Sequence, residues 1–347
     1  MEVKLNSRKP DIENLYKVLR REKPDRPTLF ELFLNDSLYE KLAGRPLPKS
    51  AVWGNFEYLK LVIEAYAAAG YDFAWTNGSD FGFPSNLHME NGKSTVSLNS
   101  GACITDWASF ENYKWQEPEN ADYSMLEKIT DYLPEGMKLM VLGPSGVMEN
   151  AIQLAGFDNL CFMIYEDPEL AKALFDNIGS RILKHYEIAT SFDSVGLVMC
   201  NDDWGFKTQT FISPKHLREY VIPWHKKFVE LAHSRKIPAV LHSCGNLVSV
   251  MDDIIDTIGF DGKHSYEDTI TPVEEAYEKW HERIGIIGGL DVNFLVQNDE
   301  AVITKRARDM LDRAAGRGAY ALGSGNSIPY YVPQDHYFAM IKAALEY

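Results

Sequence analysis

The chain of 347 residues lacks most features that would tie it to a membrane or to an oxidising compartment. Four cysteines are too few for a disulfide framework at this length, and a reducing compartment would keep them as thiols. No apolar run approaches the roughly 18 residues that a membrane-spanning helix needs. Residues 1–11 lack the apolar stretch of a signal peptide. We therefore expect a cytoplasmic protein.

Runs of basic residues are also absent, and the net charge is −15. A polyanion would be repelled by such a chain, so we expect neither nucleic acid nor a membrane as a partner. No Pro/Gly/Ser-rich linker, low-complexity segment or long repeat divides the sequence. A hydrophobic content of 45% is ordinary for a soluble protein. We predict one domain over residues 1–347.

Short apolar segments alternate with longer amphipathic ones, a pattern typical of parallel strands flanked by helices. The eight predicted strands are 27–33, 73–77, 138–143, 195–200, 237–242, 260–264, 284–289 and 319–323. The predicted helices between them are 57–69, 168–192, 214–236 with a kink at Pro223, 247–258, 272–283 and 299–316. Eight such units predict an α/β fold, a (β/α)8 TIM barrel, with a helical extension over residues 1–26.

Residues 78–123 do not fit the strand–helix alternation, because they are rich in Gly, Asn, Ser and aromatic residues. We interpret this segment as an insertion over the barrel mouth or as an irregular β-hairpin, since long loops in compact domains are often lids.

Polar residues gather where the predicted strands end, and in a barrel those ends meet at one rim. They are Asn201–Trp204, His242 with Cys244, His264–Asp268, Asp291 and Ser324–Ser327. This rim is the predicted active site. Asp202 and Asp203 are candidates for acid–base work or metal binding, but neighbours at a strand end often point different ways, so one of them can instead cap the next helix.

His242 and Cys244 lie two residues apart directly after an apolar strand. A thiol and an imidazole together suit Zn²⁺, although they supply only two of the three or four ligands that a zinc site requires. A buried thiol beside a hydrogen-bonded core histidine is the structural alternative.

The order and spacing of several motifs resemble those of the uroporphyrinogen decarboxylase superfamily, which includes corrinoid-dependent methyltransferases. These motifs include Lys23–Pro27, Asp202–Gly205 followed by Ile212–Pro214, Leu241–Gly245 and Gly323–Asn326. The decarboxylase branch carries an Arg-rich stretch after the first strand, but residues 29–36 here are acidic and cannot grip carboxylates in that way. The resemblance is therefore closest to the methyltransferase branch.

In the methyltransferase branch, a His-x-Cys pair and a later Cys hold zinc. The resemblance matches His242 and Cys244 to the first two ligands, whereas Ser324 replaces the third. Glu267 is the preferred substitute, because the family places an acidic residue there, with His264 and Asp203 as the other candidates.

The resemblance thus implies a methyltransferase that moves a methyl group between a small methylated compound or acceptor and a corrinoid on a separate partner protein. The site residues it implies are Asp203 and His264 for catalysis, Asp202, Asp291, Ser324 and Asn326 for the substrate, and His242, Cys244 and Glu267 for zinc. The corrinoid must come from the partner, since the Asp-x-His-x-x-Gly pattern of corrinoid-binding modules does not occur. Whether the protein forms a homodimer is left open by the sequence.

Two other functions compete with methyl transfer. One is a decarboxylase that acts on a smaller carboxylated substrate and keeps Asp203 as its acid–base group. The other is a non-enzymatic tetrapyrrole or corrinoid binder. For that binder the aromatic residues Trp75, Phe81, Phe83, Trp107, Phe110, Tyr113 and Trp115 would supply a stacking surface. Aromatic residues at that density more often belong to an ordinary core.

Overall fold

Eight short parallel strands form one curled sheet that carries the predicted active-site rim at its carboxyl end. The structure is a computed structural model that describes residues 8–86 and 97–347. The strands are β1 (Thr28–Leu29), β2 (Phe73–Thr76), β3 (Lys138–Val141), β4 (Val195–Asn201), β5 (Ala239–His242), β6 (Gly262–His264), β7 (Gly285–Ile287) and β8 (Tyr320–Leu322). Their apolar side chains are buried on both faces of the sheet, as in other parallel sheets covered by helices. The predicted (β/α)8 TIM-barrel class is confirmed.

The sheet has a seam between its first two strands. β1 pairs with β8, and the remaining strands follow in sequence order to β2. No ladder joins β1 to β2 within the part of the chain that the structure describes. Side chains fill this seam instead: the rings of Phe30 and Phe73 are 4.8 Å apart, and Tyr66 Oη lies 3.2 Å from the carbonyl oxygens of both Glu31 and Leu32.

Helices surround the sheet. They are α1 (Ile12–Leu19), α2 (Asp36–Ala43), α3 (Phe56–Ala69), α4 (Trp107–Asn112), α5 (Ser124–Lys128), α6 (Val147–Ala155), α7 (Phe157–Glu166), α8 (Pro168–Ala189), α9 (Pro214–His216), α10 (Ile222–Ser234), α11 (Val273–Trp280), α12 (Val292–Gln297), α13 (Glu300–Ala314) and α14 (Gln334–Leu345). Local sequence sets their ends. For example, α3 begins where the Asn55 side chain accepts a hydrogen bond from the Tyr58 N–H, and it ends at Gly70, whose φ of 89° suits glycine. No helix in the described ranges is long and apolar enough to cross a membrane.

Two predicted helices are less regular than their patterns indicate. The segment 214–236 is interrupted by a π-helical turn, Leu217–Val221, directly before Pro223, which has no N–H to donate to the preceding turn. The segment 247–258 forms a 3₁₀ turn, Val248–Val250, and a π-helical turn, Asp253–Ile258.

The helix α1 closes the amino-terminal end of the barrel. Tyr16 Oη donates to the carbonyl oxygen of Gly196 at the start of β4, over 2.7 Å. Leu19 packs on Gly262, where an added Cβ would lie 2.6 Å from a Leu19 methyl carbon. The extension predicted over residues 1–26 is therefore helical in part, and residues 1–7 lie outside the described ranges.

The predicted insertion, residues 78–123, lies along the outer helices, and its residues 87–96 fall outside the described ranges. Its described part contains α4 and a 3₁₀ turn but no strand, so the hairpin alternative is not found there. The N–H groups of Cys103 and Ile104 donate to the Leu154 carbonyl of α6, at 2.8 and 2.9 Å, and Arg181 of α8 pairs with Glu117. A lid over the mouth stays a prediction.

Most aromatic residues considered as a stacking surface belong to the core. Trp75, Phe81 and Phe83 are buried, and Phe110, Tyr113 and Trp115 are half-buried and packed against the core, whereas Trp107 is 40% exposed on α4. The packing therefore favours the core interpretation of the three buried rings.

Candidate metal and active site

Three side chains of the rim converge on one point. Cys244 Sγ lies 3.7 Å from His242 Nε2, and Asp203 Oδ1 lies 3.8 Å from the same nitrogen. One ligand atom from each residue falls within a group whose members are all within 4.8 Å of one another. Tetrahedral zinc with ligands at about 2.0–2.3 Å places neighbouring ligand atoms about 3.6 Å apart. The spacing and the donor set of this group therefore fit a zinc ion.

The backbone positions these three groups. His242 ends β5 and is paired in register with Asn201 of β4 and with His264 of β6, so the three side chains leave the sheet on the same face. After the strands end, the N–H of Cys244 donates to Asp203 Oδ1 over 2.7 Å. This hydrogen bond fastens the loop after β4 to the loop after β5 and sets the carboxylate beside the thiol.

A chain of hydrogen bonds fixes which nitrogen of His242 carries its proton. His242 Nδ1 lies 2.7 Å from His264 Nδ1, and His264 Nε2 lies 3.1 Å from the carbonyl oxygen of Ser324. Burial lowers the pKa of His242 to about 3 and that of His264 well below its usual value, so both rings are neutral at pH 7.

A carbonyl oxygen can only accept, so His264 Nε2 carries the hydrogen and His264 Nδ1 is the acceptor. His242 Nδ1 must then be the donor. This leaves a lone pair on His242 Nε2, the atom that faces Asp203 and Cys244, which is the state that metal binding requires. His264, which we expected in catalysis, is completely buried and acts here through His242.

Ser324 faces away from the three-residue group. Its Oγ lies 2.6 Å from Glu31 Oε1, and its N–H donates to Glu31 Oε2 over 3.2 Å. Both residues are completely buried, and burial raises the pKa of the Glu31 carboxyl to about 8. Our expectation of a substrate contact for Ser324 therefore does not fit its position behind the site. Sequence reasoning missed Glu31, whose signal is one acid within the apolar run 29–33.

Asn326 reaches the thiol that Ser324 does not. Its Nδ2 donates to Cys244 Sγ over 3.2 Å, and its backbone N–H donates to Ser324 Oγ over 3.3 Å. Asn326 also lines a cavity of about 910 Å³ over the ends of β6, β7 and β8. A substrate contact by Asn326 stays a prediction.

Asp202 and Asp203 have opposite surroundings although they are neighbours in sequence. Asp202 is completely buried, and its two oxygens accept hydrogen bonds from four groups. The donors are the N–H groups of Met148 and Glu149, Trp204 Nε1 and His225 Nε2, at 2.8–3.1 Å. Asp202 thus caps α6 and ties it to α10, and it is not placed to contact a substrate as we expected. The alternative of a cap on the next helix is right about the kind of contact but wrong about the helix, because α6 precedes Asp202 in the chain.

Glu267 and Asp291 lie beside the three-residue group rather than within it. Glu267 Oε1 accepts a long hydrogen bond, 3.4 Å, from the Gly245 N–H. Asp291 caps α12 by accepting from the Asn293 N–H over 2.7 Å, and its other oxygen accepts from the Asp268 N–H over 2.8 Å. Both acids line the same cavity as Asn326. Asp203 therefore takes the place beside His242 and Cys244 that we expected for Glu267.

Two further titratable residues, Glu149 and Lys263, shape the electrostatics of the site. Burial is the main cause that raises the pKa of Glu149 well above its usual value, and the carboxylates of Asp203 and Asp202 act in the same direction, which favours the protonated form. Lys263 donates to the Ser265 carbonyl over 2.7 Å, and burial lowers its pKa to about 8. Burial also raises the pKa of Asp203, while the hydrogen bond from Cys244 acts in the opposite direction. Sequence reasoning misses Glu149 because it does not predict the helix α6, and it misses Lys263 because nothing in the sequence marks this lysine of β6 as buried.

Comparisons with known proteins agree with the fold and the motifs. The model of the uroporphyrinogen decarboxylase (URO-D) family matches residues 100–347. A uroporphyrinogen decarboxylase of Chromohalobacter salexigens is 24% identical over 191 residues, which cover 53% of this chain and 50% of that protein. The chain thus spans about half the length of the curated relative it matches.

Solved structures extend the likeness to the whole barrel. A methyltransferase from Methanosarcina mazei superposes with a TM-score of 0.69 at 17% identity, covering 96% of this chain and 97% of that one. A B12-independent methionine synthase from Shewanella sp. W3-18-1 gives a TM-score of 0.51 at 14% identity, covering 92% and 96%. At these identities the two structures show a shared fold alone. The family match spans more than half of the chain, and the chain therefore belongs to the uroporphyrinogen decarboxylase family.

Proposed function

We propose that this protein is a zinc-assisted methyltransferase that exchanges a methyl group between a small methylated compound and a corrinoid on a separate protein. The observation that carries the proposal is the convergence of Asp203, His242 and Cys244, with the lone pair of His242 Nε2 turned toward the other two. The likeness to the M. mazei methyltransferase supports the proposal through the shared fold.

These three residues would hold the ion and leave a fourth position open for the substrate. With one carboxylate in place of a thiolate, the ion would supply stronger Lewis acidity to a substrate oxygen. We therefore favour an oxygen-bound methyl group as the substrate over a thiol. Cys244 is a poor free nucleophile, since burial and the nearby Asp203 raise its pKa.

A neutral carboxyl group beside Asp203 suits the same chemistry. When a methyl group leaves oxygen for the reduced corrinoid, the oxygen keeps the bonding pair and must take up a proton. Burial near two carboxylates raises the pKa of Glu149 and favours its protonated form. We infer that Glu149 is the proton donor and that the cavity over β6–β8 admits the substrate from the mouth.

The test combines metal content with activity. Protein purified without chelator should hold about one zinc per chain and transfer methyl groups from a methoxylated compound to reduced cobalamin. Cys244→Ser should lose the zinc and the transfer, whereas Cys161→Ser, which changes a half-buried thiol on α7, should keep both. Full activity without metal, or zinc retained by Cys244→Ser, would refute the proposal.

A decarboxylase is the second candidate, because the chain belongs to the uroporphyrinogen decarboxylase family. In that case Asp203 would act as the acid–base group. The charges of the site disfavour a substrate with many carboxylates. Lys207 is the single cation among the described residues that line the large cavity, and the acid Glu31 is held behind the site by Ser324. Release of CO₂ from a carboxylated substrate by metal-free protein would favour this candidate.

A further inference from the structure

The large cavity over the ends of β6, β7 and β8 adjoins the three-residue group of the candidate metal site. Its volume is about 910 Å³. Asn326 lines the cavity, and its Nδ2 donates to Cys244 Sγ over 3.2 Å. Glu267 lines it as well, and its Oε1 accepts from the N–H of Gly245, the residue after Cys244. A substrate whose methyl group lies at the three-residue group would therefore extend into this cavity.

Two of the three acids that line the cavity are engaged by the protein itself. Both oxygens of Asp268 accept from Arg306, at 2.7 and 2.8 Å. Arg306 also donates to Glu274 over 2.7 Å, so one cation is shared between two carboxylates. Asp291 accepts hydrogen bonds from three backbone N–H groups at 2.7–3.4 Å. These contacts hold the cavity wall in place.

Glu267, the third acid, has fewer partners. Its side chain is half-buried, and the long hydrogen bond of 3.4 Å from Gly245 is the one polar contact of its carboxylate among the described residues. Such a carboxylate has lost part of its hydration without gaining a cation in return. A positively charged ligand group beside Glu267 is therefore favoured.

The charge of Lys263 acts on Glu267, but the two residues form no ion pair within the described ranges. Lys263 Nζ instead donates to the carbonyl oxygens of Ser243 and Ser265, at 3.4 and 2.7 Å. The same charge also acts on two members of the three-residue group. One buried ammonium group is thus shared among several anionic groups and does not replace a partner for Glu267.

The wall of the cavity carries more negative than positive charge. Four carboxylates lie on it or directly behind it, against three cations: Glu267, Asp268, Glu274 and Asp291 against Lys207, Lys263 and Arg306. A bound zinc ion would not change this balance, because one carboxylate and one thiolate of the three-residue group neutralise a divalent ion. The cavity therefore attracts cations and repels anions.

Aromatic residues add to the lining of the cavity. The guanidinium of Arg306 lies 4.5 Å from the centre of the Phe294 ring, so one face of that ring already carries a cation. Tyr331 lines the cavity with a side chain that is 69% exposed. Tyr266 also lines it, and its buried Oη has no hydrogen-bond partner among the described residues. An organic cation with an aromatic body matches this lining better than an inorganic ion does.

We propose that the substrate is a methoxylated amine whose ammonium group pairs with Glu267. The inference rests on the proposed function for the transfer of the methyl group, but not for the binding of the cation. Glu267 would then determine substrate specificity instead of holding the metal. A methoxylated compound with a carboxylate in place of the ammonium group would be repelled.

Three phenols of equal size test the charge of the substrate. They share a 4-hydroxy-3-methoxyphenyl ring and differ in the side chain, which ends in an ammonium group in 3-methoxytyramine, a hydroxyl in homovanillyl alcohol and a carboxylate in homovanillate. In titration calorimetry at constant ionic strength, the amine should bind at least tenfold tighter than the alcohol, and the acid should bind most weakly. Measurements on the wild type and on Cys244→Ser separate binding from methyl transfer, because the variant should lose the metal and keep the acids of the cavity.

Three variants locate the cation site. Glu267→Gln should weaken amine binding at least tenfold, since it removes a charge-assisted hydrogen bond, and should leave alcohol binding unchanged. Lys207→Glu should strengthen amine binding severalfold, because an exposed charge has a modest effect. Glu230→Gln makes the same acid-to-amide change on an exposed residue of α10 and should leave all three affinities unchanged. The kcat/KM for methyl transfer to reduced cobalamin should follow the order of the affinities.

Equal affinity for the amine and the alcohol, or a preference that Glu267→Gln leaves intact, would overturn the inference. Methyl transfer from the alcohol and the acid as efficient as from the amine would also overturn it, while the proposed function would stand. Selective, Glu267-dependent binding of the amine without any methyl transfer would instead refute the proposed function and support Glu267 as the cation site.

Discussion

His264→Phe tests whether the hydrogen-bond chain behind His242 prepares the metal site. The substitution keeps a ring of similar volume but removes both the acceptor for His242 Nδ1 and the donor to the Ser324 carbonyl. Without that acceptor, His242 is free to place its hydrogen on Nε2, the atom that faces Cys244. Loss of such a supporting partner weakens metal binding by about 10–100-fold, which corresponds to about 1.4–2.7 kcal/mol.

Zinc affinity can be measured by competition with a chromophoric chelator, and stability by urea denaturation of the metal-free protein. The variant leaves the Ser324 carbonyl and the His242 N–H without their partners, so it should also lose about 1–3 kcal/mol of unfolding free energy. The matched control is His185→Phe. His185 is also completely buried, and its Nδ1 lies 3.0 Å from Tyr123 Oη and 3.3 Å from Ser79 Oγ, but it lies outside the metal group. The control should lose similar stability and no zinc affinity.

The reasoning would be refuted if His264→Phe bound zinc as tightly as the wild type, or if the control lost the same affinity. Nitrogen NMR of the metal-free protein gives an independent check. It should show hydrogen on Nδ1 of His242 and on Nε2 of His264 in the wild type. The opposite tautomers would contradict the proposed hydrogen-bond chain directly.

Three further predictions concern residues next to the hydrogen-bond chain that joins His242, His264 and Ser324. Asp202→Asn should cost about 3–5 kcal/mol of unfolding free energy, because an amide replaces a buried carboxylate with four donors, whereas Asp203→Asn should lower zinc affinity with little change in stability. Asn326→Asp should raise zinc affinity at least tenfold in the same competition assay, since it offers an oxygen ligand where Nδ2 now lies 3.2 Å from Cys244 Sγ, and an unchanged affinity would contradict this. Glu31 has a folded-state pKa of about 8, above its ordinary 4.5, so its contribution to stability is full below about pH 4.5 and is lost as the pH rises to about 8. Glu31→Gln should therefore gain on the wild type by about 1.4 kcal/mol per pH unit across that window in urea denaturation, and a constant difference would refute the assignment.

The strand pattern could be predicted from sequence because parallel strands are buried on both faces and leave continuous apolar runs. All eight predicted strands are present, but the first is far shorter than the predicted 27–33. An apolar run records burial and not backbone pairing, and residues 30–32 are buried although they form no ladder with β2. At Pro223 the sequence predicts a kink but not the π-helical turn that precedes it. The missing N–H of proline can be read from the sequence, whereas the backbone geometry that accommodates it cannot.

The site could be predicted only as far as the strand ends determine it. His242 and Cys244 come together because they follow one strand, and Asp203 joins them through the loop hydrogen bond to the Cys244 N–H. Which carboxylate completes the group depends on loop geometry, and sequence order alone does not separate Asp203 from Glu267. The burial of Asp202 depends on its contacts with Glu149 of α6 and His225 of α10. Both residues are far from Asp202 in sequence, so the sequence pattern around Asp202 does not show these contacts.

The seam between β1 and β2 gives the barrel a preferred place to open. Elsewhere neighbouring strands are joined by backbone hydrogen bonds, but here the closure depends on ring packing and on Tyr66. Local opening of a structure begins where the fewest hydrogen bonds must break, so we expect amide exchange to be fastest along this edge. Glu31 lies at the same edge, and such a fluctuation would give it access to water and free it to ionise. Opening of this edge would then disturb the contact of Glu31 with Ser324 and, through the Ser324 carbonyl, the two histidines behind the metal site.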